Sequence, residues 1–131
     1  MIVATLAALL GCCRSGCPTD DDIVGIWDRP GLGVSWLFGR TEYGDAPGTV
    51  LGAAHAEEGP DAYDVLWTGE YETDGDWLVI RALEDLGYSE VREVGESRGR
   101  IREWSPGERL VFATDPDVFI RDEIELVFYS D

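Results

Sequence analysis

A long β-hairpin between Tyr63 and Leu83 is the feature that most constrains the fold of this chain of 131 residues. From Tyr63 to Thr73, one set of mainly apolar residues alternates with a mainly polar set, which is the period of two expected of a half-buried strand. The first set is Tyr63, Val65, Trp67, Gly69 and Tyr71, and the second is Asp64, Leu66, Thr68, Glu70 and Glu72.

The turn of this hairpin is predicted at Asp74-Gly75, because both residue types tolerate the positive φ angles of a two-residue primed turn. A second strand follows directly at residues 77–81. The predicted register pairs Thr73 with Asp76, Tyr71 with Leu78, and Gly69 with Ile80. One face of the hairpin is then apolar, and a hairpin cannot bury such a face alone, so further strands are required.

Other strand-like segments are spaced along the chain, each bounded by turn residues. They lie at residues 23–28, 33–38, 48–55, 88–94, 100–104, 110–113 and 118–129. Eight or nine short strands without a convincing long helix predict an all-β sandwich or barrel. Successive hairpins favour an antiparallel up-and-down barrel of about eight strands, because closure removes exposed strand edges.

The charge of the chain excludes one class of partner. With 27 acidic and 10 basic residues, the formal net charge is −17. Such a chain repels phosphate backbones, so nucleic acid is not an expected partner. Five Trp, five Tyr and four Phe are too many for a disordered polymer, so a folded core is expected.

The N-terminus predicts a secretory signal. The apolar run at residues 2–10 is too short to span a bilayer as a helix but suits the hydrophobic region of a signal peptide. It ends in Leu9-Leu10-Gly11-Cys12, which resembles the bacterial lipobox. The resemblance implies cleavage before Cys12 and lipidation of that cysteine; the alternative is a buried segment with an ordinary thiol.

This interpretation divides the chain into three parts. Residues 1–11 are the predicted lipoprotein signal peptide, 12–22 the lipidated cysteine with a polar tether, and 23–131 the barrel. Cys13 and Cys17 would remain after lipidation, and they form a small disulfide or stay free.

The motif Gly25-Ile26-Trp27 resembles the Gly-x-Trp signature of the lipocalin and wider calycin barrels. The stretch from Gly69 to Leu78 is similar to a hairpin of small bacterial lipocalin-like lipoproteins. The resemblance implies that Gly25 and Trp27 form the closed base of the barrel. It also implies that an arginine near the end of the last strand packs across this tryptophan, and Arg121 is assigned to this role by its position in the chain.

The aromatic residues Trp36, Trp67 and Tyr71 are the candidate ligand-binding residues. Together with Trp27 and Phe112 they either line a cup for a small hydrophobic ligand or fill the barrel. No motif marks a nucleophile near the single histidine, His55, so an enzyme is not expected. No cofactor and no metal site are expected either.

Arg98, Arg100 and Arg102 have the spacing of residues on one face of a strand. They could hold an anionic group or an acidic partner. Alternatively, they pair across strands with Glu90, Glu93, Glu96 and Glu108, which is the favoured interpretation.

Two functions are consistent with these patterns. The first is a lipid-anchored protein of the bacterial cell envelope whose barrel binds a small hydrophobic ligand. The alternative is a non-catalytic structural or protein-interaction lipoprotein with a filled barrel, whose partner is an envelope protein. In both cases the N-terminal lipid attaches the protein to the membrane, which is the periplasmic side of the outer membrane where a cell has two membranes.

Overall fold

The computed structural model describes residues 16–41, 44–55, 63–87 and 89–129. Its eight antiparallel strands form a closed barrel in which every strand pairs with its neighbours in the sequence. The strands are β1 (Gly25–Arg29), β2 (Val34–Thr41), β3 (Gly44–His55), β4 (Tyr63–Asp74), β5 (Trp77–Asp85), β6 (Gly95–Ser105), β7 (Arg109–Ala113) and β8 (Glu123–Phe128). The predicted all-β up-and-down barrel is therefore confirmed, and it is consistent with a lipocalin-like fold.

The core fills the inside of the barrel. In each strand alternate residues point inward, as the period of two requires. The largest fully buried side chains are Trp27, Trp36, Trp67, Phe38, Phe112, Phe119, Ile23, Leu78, Ile80, Ile101, Leu110 and Ile124. All but two of these come from the strands; Ile23 and Phe119 come from segments at opposite ends of the barrel.

The two ends of the barrel differ in construction. One end, called here the helix end, holds the short helix α1 (Asp20–Ile23) and the tight turns β4–β5 and β6–β7. The other, called the loop end, holds the connections at residues 30–33, 86–94 and 114–122, apart from residue 88, which is outside the described residues. The only ladder contact within these connections is an isolated bridge between Val91 and Phe119.

The register of the central hairpin differs from the prediction. Asp74 pairs with Trp77, Tyr71 with Ile80, and Gly69 with Ala82, so the two loop residues are Gly75 and Asp76. Gly75 has a φ of 60°, which places the positive φ at the first loop position, as both primed turn types require. The partner of each residue is displaced by two positions, so the predicted inward and outward faces are unchanged.

Several predicted strand boundaries are also wrong. Strand β6 begins at Gly95 rather than residue 100, and β8 spans Glu123–Phe128 rather than residues 118–129. Strand β3 begins at Gly44 rather than residue 48. The predicted strand at 88–94 is irregular over residues 89–94 because Val91 alone forms a bridge and Glu90 is drawn into the barrel mouth. At the N-terminal side, Asp20–Ile23, most of which was assigned to the tether, forms α1 and packs on the barrel.

A narrow seam closes the barrel. Strand β1 pairs with β8 through Trp27–Phe128 and Asp28–Val127. The amide of Tyr129 extends this seam by donating to the carbonyl oxygen of Ile26 at 2.9 Å.

Candidate functional site

The centre of the barrel is an aromatic cluster organised around Trp36. Its ring centroid lies 4.9 Å from that of Trp67 and 5.4 Å from that of Phe119. Phe112 contacts the same ring edge to face at 5.9 Å. These separations are typical of directly packed aromatic side chains.

Trp67 fits the barrel because two glycines leave room for its ring. A Cβ on Gly52, its direct partner on β3, would lie 1.9 Å from the Trp67 Nε1 atom. A Cβ on Gly69 would lie 3.1 Å from the Trp67 Cζ3 atom. Among the described residues, the Trp67 Nε1 atom is also the one buried side-chain polar atom without a hydrogen-bond partner.

Tyr71 joins the barrel wall to α1 at the helix end. Its ring packs edge to face on Phe38 at 5.0 Å, and its hydroxyl donates to the carbonyl oxygen of Asp20 at 2.7 Å. The Asp20 carboxylate in turn accepts hydrogen bonds from the Thr73 amide and hydroxyl, both at 2.7 Å. Burial, together with the charges of Asp20 and Asp21, raises the pKa of Tyr71 to about 12.

The predicted ligand-binding residues are therefore brought together, but inside the packed core. Trp36, Trp67 and Tyr71 are 0–2% exposed and belong to one continuous hydrophobic cluster. A ligand that reached them would have to displace neighbouring rings.

Gly25 and Trp27 lie together near the helix end. The Trp27 indole donates to the carbonyl oxygen of Ile23 at 2.8 Å and packs edge to face on Phe128 at 5.0 Å. Gly25 has a φ of 146°, and a Cβ there would lie 2.6 Å from the Phe128 ring. Glycine at this position thus permits the close approach of the first and last strands.

Arg29 and Glu90 form a buried ion pair at the loop end. The Arg29 Nε and Nη2 atoms donate to the Glu90 carboxylate at 2.9 and 2.5 Å. Arg29 Nη1 donates to the Glu125 carbonyl oxygen at 2.8 Å, and the Trp36 indole donates to Glu90 at 3.1 Å. The pair therefore ties strands β1, β2 and β8 to the segment that crosses the barrel mouth.

Arg121 lies at this loop end rather than beside Trp27. It precedes β8, its side chain is 52% exposed, and its Nε atom lies 3.7 Å from Glu90. The described contacts of Trp27 are with Ile23, Trp104 and Phe128, and they do not include Arg121.

Sequence reasoning missed the residues that close the loop end. The predicted first strand ended at residue 28, before Arg29, and Glu90 was expected to pair with the arginines of β6. Arg29 occupies an inward-facing position of β1, directly before Pro30. A charged residue at such a position is the signal that could have indicated a buried partner. Nothing in the sequence indicates which carboxylate this partner is.

The arginines of β6 pair across strands, as the favoured interpretation predicted, but with other partners. Arg98 binds Asp74 and Arg100 binds Asp76, both at 3.1 Å, and Arg102 binds Glu123 at 3.3 Å. The Cζ atoms of Arg98 and Arg100 also lie over the Trp77 ring, 5.1 and 4.9 Å from its centroid. Their charges are thus neutralised on the barrel's outer wall.

Two open clefts lie at the barrel ends. One, of about 300 Å³, is formed by the β1–β2 connection and includes Asp28 and Arg29. The other, of about 420 Å³, lies beside α1 between Asp20, Asp21 and Thr73. In the part of the chain that the structure describes, no three potential metal ligands are grouped.

The comparisons with known proteins return no relative. No family model, curated protein or solved structure matches the chain.

Three further observations concern the helices, Cys17 and the single histidine. No helix within the described residues is long and apolar enough to cross a membrane. Cys17 is disulfide-bonded, and its partner is outside the described residues. His55, also considered at the sequence level, pairs through its backbone with Tyr63 at the end of β3.

Proposed function

We propose that this chain is a lipid-anchored, non-catalytic protein of the bacterial cell envelope whose filled barrel serves protein interaction. The observation that carries the proposal is the burial of the aromatic interior, where Trp27, Trp36 and Trp67 are 0–1% exposed. Among the described residues, aromatic side chains occupy the barrel interior, which supports a recognition surface on the outside of the barrel. In a cell with two membranes, the protein is proposed to face the periplasm from the outer membrane.

Binding of a small hydrophobic ligand is the second candidate. It is favoured by the unpartnered Nε1 atom of Trp67, because a buried N–H group without an acceptor is costly and a ligand oxygen would satisfy it. Entry would require Phe119, which packs on both Trp36 and Trp67, to leave the barrel.

A fluorescence titration separates the two candidates. Oleate and an apolar naphthalene dye are added to the wild-type protein while tryptophan emission is recorded. The filled barrel predicts no saturable change, whereas Phe119→Ala, which removes a ring from the core, should create a site for a small aromatic probe. Saturable quenching in the wild type would establish the ligand-binding function instead.

The lipid anchor depends on Cys12. Cys12→Ser is expected to abolish incorporation of a labelled fatty acid and cleavage before residue 12. Undiminished label in this variant would remove the anchor from the proposal.

The disulfide offers an independent check of the same anchor. The cysteines other than Cys17 are Cys12 and Cys13. A lipidated Cys12 has no free thiol, so the proposal assigns Cys13 as the partner of Cys17. Cys13→Ser should therefore release one titratable thiol at Cys17; if Cys17 stays blocked, Cys12 is the partner and cannot carry the lipid.

A further inference from the structure

The loop end carries most of the large hydrophobic side chains that the barrel leaves exposed. Among the described residues, six of eight such side chains lie there, each 39–58% exposed. They are Leu32, Val65, Leu83, Leu86, Val94 and Ile120, whereas Val127 and Tyr129 lie at the helix end. Exposed apolar side chains are common singly, but their concentration at one end indicates a contact surface.

Four of these side chains lie on adjacent backbone segments. The β5–β6 ladder ends at Ala82 and Gly95, and Leu83 and Val94 are the next residues beyond this last pair. Ile120 lies along the segment that precedes Val94, because its amide donates to the Glu90 carbonyl oxygen at 2.9 Å. Leu86 lies three residues after Leu83, at the start of the β5–β6 connection. These four residues, Leu83, Leu86, Val94 and Ile120, are called here the apolar patch.

Exposed carboxylates without an arginine partner lie at the same end of the barrel as the apolar patch. Glu84, Glu93, Asp117 and Asp122 are exposed, and no ion pair joins them to another described residue. Two more carboxylates at this end accept hydrogen bonds from uncharged donors: Asp85 from Ser89 and Asp115 from the amide of Asp117.

Few positive charges offset these carboxylates. The exposed arginines of the loop end are Arg92, which donates to the Pro116 carbonyl oxygen, and Arg121, which lies near Glu90. On the outer wall, by contrast, Arg81, Arg98, Arg100, Arg102 and Arg109 all pair with carboxylates. Among the described residues of the loop end, carboxylates therefore outnumber arginines.

We propose that the loop end is a docking surface for a cationic partner protein. Basic side chains of the partner pair with the unpaired carboxylates, while its apolar side chains cover the patch; charge complementarity of this kind selects the partner and speeds encounter. The inference rests on the proposed interaction function and names the chemistry of the partner. The chain enters the barrel through Gly16 and α1 at the helix end, so the loop end points away from the anchor.

Charge argues against two other occupants. A second copy of the chain would bring an equal set of carboxylates to the contact, and like charges at an interface are strongly unfavourable. Anionic lipid head groups would be repelled for the same reason.

A cationic amphipathic peptide tests the surface. The probe is a Lys/Leu helix of about five turns, with a shuffled peptide of equal composition and a Glu/Leu peptide as controls. The mature protein is held in phosphatidylcholine nanodiscs, and empty nanodiscs provide the blank. We expect saturable binding of the Lys/Leu helix alone, weakening as salt is raised from about 0.05 to about 0.2 M because of screening.

Two pairs of variants locate the contact. Leu86→Ser with Ile120→Ser should weaken binding about tenfold, because two apolar side chains are removed from the contact with the peptide. The matched control is Val127→Ser with Tyr129→Ser, which changes two comparably exposed residues at the helix end and should leave binding unchanged. Likewise, Glu93→Gln with Asp117→Asn should weaken binding and flatten its salt dependence, while Glu70→Gln with Glu108→Gln should not.

Equal affinity in all four double variants would overturn the proposal, since the peptide would then bind through net charge alone. The proposal would also be overturned if sedimentation showed a dimer that dissociates in the double variant Leu86→Ser with Ile120→Ser. The occupant of the surface would then be a second copy of the chain. Incorporation into nanodiscs reports separately on the anchor. A protein that fails to incorporate is titrated in solution, so failure of the anchor and failure of the docking surface remain distinct.

Discussion

Glu90 and Arg29 place two opposite charges where the barrel would otherwise be apolar. Removal of one member leaves the other buried and unpaired, which typically costs about 3–5 kcal/mol. Glu90→Leu should therefore strongly lower the free energy of unfolding measured in urea. The double variant Arg29→Met with Glu90→Leu should recover most of the loss, because no charge then remains buried. A small loss for Glu90→Leu alone would contradict the buried pair.

Tyr71 predicts a specific loss of stability in alkaline solution. Its pKa is about 12 in the folded protein and 10.0 when unperturbed, so the unfolded chain releases the phenol proton first as the pH rises. The stability that the protonated phenol contributes below pH 10 is lost as the pH rises from 10.0, the pKa in the unfolded chain, towards about 12, the pKa in the folded protein. Between about pH 9 and pH 11, the wild type should lose about 1 kcal/mol more than Tyr71→Phe.

The control for this measurement is Tyr129→Phe, which changes an exposed tyrosine and should retain the wild-type pH dependence. Equal alkaline slopes for the wild type and Tyr71→Phe would show that Tyr71 is not held in its protonated form.

Single residues were the least predictable from the sequence. The inward positions of Trp27, Trp36 and Trp67 followed from alternation, because inward-facing positions along a strand are two residues apart. The roles of Glu90 and Phe119 did not, because both lie in irregular connections whose path is set by packing across the barrel mouth. Arg121 was placed by family resemblance alone, and its described contact is with Glu90 instead.

At the level of elements, the β4–β5 turn depends on Gly75. With φ at 60°, a β-branched side chain there is strained, so Gly75→Val should cost about 1–3 kcal/mol in a urea or thermal melt. Asp74→Asn keeps the turn chemistry and loses only a pair between exposed side chains, so it should be nearly neutral. Equal melting temperatures for the wild type and Gly75→Val would show that the turn tolerates other conformations.

The elements themselves were largely predictable, whereas their register was not. Alternation and turn residues located most of the strands, because each signal is local. The choice between Asp74-Gly75 and Gly75-Asp76 as the loop depends on long-range pairs such as Ile80 with Ser97. A sequence pattern of period two cannot distinguish registers that differ by two residues.

For the whole molecule, the proposal of a filled barrel predicts that the interior tryptophans contribute equally to stability. Trp27→Ala, Trp36→Ala and Trp67→Ala should each cost about 3–5 kcal/mol, a large part of the stability of a small domain. Trp77→Ala is the matched control: this ring is only partly buried on the outer wall and should cost clearly less. If Trp36→Ala and Trp67→Ala are as mild as Trp77→Ala in denaturant melts, a cavity adjoins them and the barrel is not filled.

The narrow seam between β1 and β8 determines when the barrel can be completed. Trp27 and Phe128 are about a hundred residues apart, and closing a loop of that length from an open chain costs about 4 kcal/mol of entropy. The intervening hairpins must therefore form first and bring the ends together. Until the last strand has been synthesised, β1 and β7 remain open edges that can pair with other chains. During synthesis the sheet is thus unfinished for nearly the whole length of the protein, and a chain truncated before residue 123 is expected to aggregate rather than to fold as a smaller barrel.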